Sequence, residues 1–149
     1  MQRLRRRLRG DRGSVAVEFA LIVPVFLILV YGGLSFGLAM SAKSIVTEAA
    51  ADGARAAIGV PPASAVTVAE NVAQQVLDNE GNAYRSYAVV SAKLSVANDG
   101  TCGSSQTAQC ITVTISYPYS AHPAIPNAPG LGLVLPSNIN ATYTVEVTP

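Results

Sequence analysis

The sequence predicts an α+β chain in which a long N-terminal transmembrane helix continues into a small domain, where a second helix packs on an antiparallel sheet of about three or four strands. Three observations lead there. Residues 19 to 42 run without a charge; two later stretches repeat their apolar residues at helical spacing; and three segments near the C-terminus alternate apolar and polar residues. With 149 residues there is room for one such domain besides the membrane segment, and not for two large ones.

The uncharged run extends from Phe19 to Ala42. At ~1.5 Å per residue it reaches roughly 36 Å, enough to cross a ~30 Å hydrocarbon core. Before it, residues 1–13 carry six arginines (Arg3, Arg5, Arg6, Arg7, Arg9 and Arg12) against Asp11, while residues 14–149 carry four basic and eight acidic side chains. Basic residues beside a membrane segment stay on the cytoplasmic side, so the N-terminus is expected inside and everything after about Lys43 outside. With an apolar run directly behind it, the arginine tract reads as a topology signal, not a nucleic-acid-binding arm. The tripeptide Arg9-Gly10-Asp11 matches a cell-adhesion motif but falls on the cytoplasmic side, and is taken as coincidence.

The membrane helix is expected to begin near Ser14. Pro24 lies inside it, removes one backbone hydrogen bond and is expected to bend the axis. Gly33, Gly37 and Ser41 recur every fourth residue and form a strip of small side chains along which another helix could pack. Past Lys43 the helix turns amphipathic, with Val46, Ala49, Ala50, Gly53 and Ala57 on one face, and Asp52 and Arg55 spaced to pair on the surface. Gly59 and Pro61-Pro62 stop it. A second helix is expected from an N-cap at Ser64 to about Glu80, burying Val66, Ala69, Ala73, Val76 and Leu77, with Gly81 ending it. The alternating segments are Ala88 to Val96, Ile111 to Tyr117 and Ile139 to Val147, each with one face buried and one wet. Residues 118–137 form a long proline- and glycine-rich connection whose Leu131, Leu133, Val134 and Leu135 could dock on the core or on a partner.

Glu18 is the residue that needs a reason, because a carboxylate inside a bilayer costs roughly 2.5 to 3.5 kcal/mol at its centre and less near the surface. One reading is positional: close to the headgroups it reaches water and is favoured by the helix dipole. Another is that cleavage after Gly13 frees the amine of Ser14, one helical turn from Glu18, in its own chain or in a neighbour. Gly13 followed by four residues and then Glu18-Phe19 resembles the processing site of class III prepilins of the tight-adherence (Tad) pilus. The continuation Ala20-Leu21-Ile22-Val23-Pro24-Val25, then Gly32 to Gly37 and Glu48 to Ala57, is similar to the TadE-like proteins, the minor pilins or pseudopilins of that machine. The resemblance covers about residues 10–58. It implies a pilin-like fold, a prepilin peptidase cutting between Gly13 and Ser14, and Glu18 with Phe19 setting subunit register. It also implies other pilins and pilus-assembly proteins as partners alongside membrane lipid.

On that reading residues 1–13 are a leader, 14–42 the membrane helix, 43–60 its continuation and 61–149 the extracytoplasmic domain. Two alternatives remain. Signal peptidase could cut at Ala39-Met40-Ser41, against which stands an apolar run longer than a secretory one. An uncleaved single-pass anchor could carry a binding or scaffold domain in an envelope or secretion complex.

The rest of the chemistry points away from catalysis. Cys102 and Cys110, with seven residues between them in an oxidising compartment, are expected to form a disulfide. The one histidine, His122, sits among prolines with no partner nucleophile, and no zinc spacing, acidic metal cluster or phosphate-cradling loop is present. No cofactor, metal, nucleic acid or small-molecule substrate is therefore expected. The sequon Asn140-Ala141-Thr142 falls within a predicted strand and is discounted.

Overall fold

In the computed structural model, residues 8–96, 102, 108–124 and 135–147 are described, without the side chains of residues 8–12, 82, 83 and 96. The elements are α1 (Leu8–Ala56), α2 (Pro62–Asn79), α3 (Asn82–Tyr87), β1 (Val89–Val96), β2 (Gln109–Tyr117) and β3 (Ile139–Val147). The strands form one antiparallel sheet in the order β1-β2-β3. This is the expected pilin-like arrangement of a long apolar helix followed by a helix and a three-stranded sheet. Two compact units divide the chain, Met1–Gly37 and Leu38–Pro149.

Helix α1 is described from Leu8 onward, so Gly10 and Gly13 lie inside it. Leucine and arginine favour helix, and the glycines, at ~0.8 to 1.0 kcal/mol each relative to alanine, do not break it. At its other end α1 stops at Ala56. The amides of Ala57 and Ile58 bond to the carbonyls of Ala54 and Arg55, at 3.2 and 3.0 Å, and Gly59 takes the left-handed φ of 75° that the reversal requires.

Helix α2 begins at Pro62, two residues before the expected Ser64 cap. Proline at the first helical position loses no hydrogen bond, because that N–H would have no partner, and its fixed φ suits the helix. The Pro61 carbonyl collects the opening bonds instead, from the amides of Ser64 and Ala65 at 2.9 and 3.0 Å and from Ser64 Oγ at 3.1 Å. The helix buries Ala65, Ala69, Ala73 and Leu77, while Val66 and Val76 flank that stripe half-covered. Helix α3 is a further element that the sequence reading lacked.

The core of the Leu38–Pro149 unit is built from small residues on the helices and larger ones on the sheet. Helix α1 supplies Ala39, Ala42, Val46, Ala49, Ala50, Ala54 and Ala57; β2 supplies Ile111, Val113, Ile115 and Tyr117; β3 supplies Ile139, Ala141 and Val147. Ala88, Val90, Ala92 and Leu94 pack against it from β1 and its approach. The opposite face of the sheet exposes Ser91, Lys93, Thr114, Thr142, Thr144 and Glu146. There the Thr112 and Thr144 hydroxyls, directly opposite in register, meet at 2.9 Å.

Gly53 sets how closely the two long helices approach. A Cβ placed on it would lie 2.7 Å from the Ala69 carbonyl oxygen and 2.8 Å from Ala73 Cβ. The first obstacle is backbone and cannot rotate aside.

Two charged side chains cap the edges of the sheet. The Ala92 amide of β1 donates to Glu70 Oε1 of α2 at 2.9 Å, and the Lys43 ammonium of α1 donates to the Asn140 carbonyl of β3. Alternate residues of an edge strand aim both backbone groups outward, and each cap takes one such group that the ladder leaves unpaired.

Connection 118–138 leaves and rejoins the sheet at one end. The Ser120 amide bonds to the Ser137 carbonyl at 3.0 Å, and Tyr117 Oη donates to the His122 carbonyl at 2.9 Å. Leu135 packs on the core as one of its expected docking residues; Leu131, Leu133 and Val134 lie outside the described residues. Tyr84 and Tyr119 flank Tyr117, with ring centroids 5.2 and 6.4 Å from it. Burial is the largest cause that raises the phenol pKa of all three. Neighbouring phenols raise Tyr84 and Tyr117 further, and Glu80 adds to Tyr84, whereas a backbone hydrogen bond from Ala124 lowers Tyr119.

Three outcomes are expected. Gly53→Ala lowers the thermal stability of the Leu38–Pro149 unit even though alanine is worth ~1 kcal/mol more than glycine in a helix, because overpacking at a fixed backbone costs about 1 to 3 kcal/mol; circular dichroism melts of the wild type and variant measure it. Removing the disulfide with Cys102→Ser and Cys110→Ser costs about 2 to 3 kcal/mol by denaturant unfolding, through loop entropy in the unfolded chain. Because the folded state holds three phenols above the ordinary value of about 10, their contribution is complete below that pH and is lost as pH rises through the raised values. Stability should therefore fall in alkali, and less steeply in Tyr84→Phe.

Candidate processing and assembly site

Gly13, Ser14, Glu18 and Phe19 lie on consecutive turns of α1, all in regular helix and all exposed. Ser14 and Glu18 are four apart and so share one face of the helix. Phe19 is 68 % exposed, and most of the large apolar residues from Val15 to Phe36 are exposed in the same way, with Val23 and Tyr31 half-buried. Such a surface is unstable in water and stable against lipid or other apolar helices. Among the described residues α1 is the one helix long and apolar enough to cross a membrane.

The strip of Gly33, Gly37 and Ser41 is likewise open. A Cβ on either glycine would meet nothing within 4 Å, and Ser41 is exposed. The contrast with Gly53 separates two uses of a small residue in one helix, one filled by the chain's own backbone and one left open. Ser35, one turn from Tyr31, is buried and donates its hydroxyl to the Tyr31 carbonyl at 2.8 Å, which satisfies it locally.

Outside the helix, the expected disulfide between Cys102 and Cys110 is present, with the Cα atoms 5.6 Å apart. Alternation places Cys110 on the sheet face turned away from the helices, where Cys102 and Ala108 cover it in a small cluster separate from the main core. The bond therefore fixes the β1–β2 connection without entering the helix-packed core. The expected surface pair Asp52–Arg55 forms at 3.3 Å, and the Arg55 guanidinium also lies 5.5 Å from the ring centroid of Tyr143.

His122 stacks on Tyr87 with ring centroids 3.4 Å apart. Among the described residues no group of three His, Cys, Asp or Glu side chains could hold a metal ion. The contacts that sequence reasoning missed are Glu70 to Ala92, Lys43 to Asn140 and the tyrosine cluster. Only the cluster left a trace, since Tyr84, Tyr87, Tyr117 and Tyr119 account for four of the six tyrosines in the chain.

Compared with known families, residues 13–55 match the model of the TadE-like protein family, a segment that starts at Gly13 and ends one residue before α1 does. No curated protein and no solved structure matches the chain. Over residues 13–55, and so over nearly the whole of its membrane-competent helix, this chain is similar to the TadE-like family.

Proposed function

We propose that the protein is a minor pilin or pseudopilin that takes part in assembly of a Tad-type adhesive pilus. The observation that carries this reading is the family match on a helix most of whose large apolar residues are exposed from Val15 to Phe36. The chain is inserted in the cytoplasmic membrane by that helix. Its arginine tract holds the N-terminus in the cytoplasm, and the domain that follows lies outside.

A prepilin peptidase then cuts between Gly13 and Ser14. That bond sits in helix, and a protease needs it extended; Gly10 and Gly13 reduce the cost of unwinding this turn by ~0.8 to 1.0 kcal/mol each relative to alanine. Cutting removes the leader Met1–Gly13 and leaves the Ser14 amine as a cation on the face that carries Glu18. The carboxylate is then paired within the chain, or pairs with the new amine of a neighbouring subunit and sets register. Phe19 adds apolar contact beside it, and the strip of Gly33, Gly37 and Ser41 admits a close neighbouring helix. The surface that holds residues 14–42 in lipid thereby holds the subunit among other pilin helices.

Replacement of Gly13 in the native host tests this. With Gly13→Val the uncut precursor accumulates, seen by intact mass, and pili are lost. An unchanged mass and normal pili would favour an uncleaved anchor for an envelope or secretion complex. A wild-type mature chain beginning at Ala42 would instead identify signal peptidase and remove the pilin reading. Glu18→Gln should leave cleavage intact and reduce incorporation into pili, measured on sheared filaments.

A further inference from the structure

We propose that the tyrosine-rich end of the Leu38–Pro149 unit rests on the headgroup layer of the membrane that α1 crosses. The first support lies in α1 itself. Ala39 and Ala42 belong to the uncharged run that ends at Ala42, yet both are buried in the core shared with the sheet. A domain whose core encloses the last turn of the apolar run has no spacer to hold it away from the bilayer. On the same turn Leu38 and Met40 stay exposed, at 39 % and 48 %.

Lys43 carries the level of the membrane surface across to the sheet. It is the first charge after the run, and its ammonium is bound by the Asn140 carbonyl. Asn140 pairs with Ser116, and Ser116 with Val89, so this row crosses all three strands at the same end. At that end the chain places α3, the start of β1 and the beginning of connection 118–138. Tyr84, Tyr87, Tyr117 and Tyr119 all gather there. Tyr87 is 44 % and Val89 66 % exposed, the largest openings among the bulky apolar side chains of α3 and the sheet.

Tyrosine is favoured where an apolar ring meets lipid while its hydroxyl meets headgroups, and a lysine beside a span keeps its charge at the same depth. The turn after α1, with Ile58 55 % exposed, lies at the opposite end. Thirteen residues of helix separate Lys43 from Ala56, which at ~1.5 Å each is roughly 20 Å. The occupant is thus the lipid surface itself, continuous with the lipid around the helix.

The chain contains no tryptophan, so one introduced indole reports its own surroundings. Full-length variants Phe36→Trp, Tyr87→Trp, Val89→Trp and Ile58→Trp are placed in nanodiscs with and without lipids brominated near the headgroup end of the acyl chains. Phe36→Trp tests the span alone and should lose emission whenever α1 crosses the bilayer. The proposal, which rests on that spanning and not on processing or pilus assembly, expects Tyr87→Trp and Val89→Trp to lose emission and Ile58→Trp to keep it. Quenching at Phe36→Trp with none at either β1-end probe overturns it. Equal quenching at all three domain probes overturns it as well.

Discussion

The close packing of one face of α1 is the constraint on which the Leu38–Pro149 unit depends. From Phe19 to Ala42 the helix carries no charge on any side; beyond Lys43 only one side is apolar, and that side is nearly all alanine with Gly53 among them. Alanines bury little area each, so the hydrophobic gain comes mainly from Leu77, Ile111, Val113 and Ile115. What the small residues contribute is distance. They let α2 and the sheet approach near enough for those larger side chains to lose water, and at Gly53 the approach admits no side chain at all.

One helix therefore answers to two solvents. In its first part the outward apolar side chains have no water-stable arrangement and require lipid or other helices. In its second part the same backbone becomes the wall of a folded core. Lys43 stands at the change, exposed to solvent and donating to a strand carbonyl. The family match ends one residue before this helix does and covers none of the sheet, the disulfide connection or the 118–138 connection.

Much of this was legible because it is periodic. The uncharged run, the amphipathic continuation and the strict alternation in β2 and β3 each repeat a spacing that only one kind of element satisfies, and the disulfide followed from two cysteines in an oxidising compartment. What could not be read is local or distant. Ser64 is a good cap residue, but Pro62 could begin the helix earlier without losing a bond, and propensity does not rank these alternatives. Helix α3 has six residues, too few to show a period. The caps from Glu70 to Ala92 and from Lys43 to Asn140 span 22 and 97 residues, and nothing in sequence spacing pairs them. The candidate site was legible as a motif in Gly13, Ser14, Glu18 and Phe19, because the composition around one carboxylate was unusual. That the helix runs back through Gly13 at least as far as Leu8 was not.

The second part of α1 lines the core of the Leu38–Pro149 unit, and the domain is expected not to fold without it. Two soluble fragments measure this directly, one spanning residues 43–149 and one spanning residues 60–149, compared by thermal unfolding with circular dichroism. A cooperative melt is expected for the first and none for the second, since the second lacks Val46, Ala49, Ala50 and Ala54 against its sheet. A cooperative transition of similar midpoint in the fragment 60–149 would instead show a domain that folds without α1.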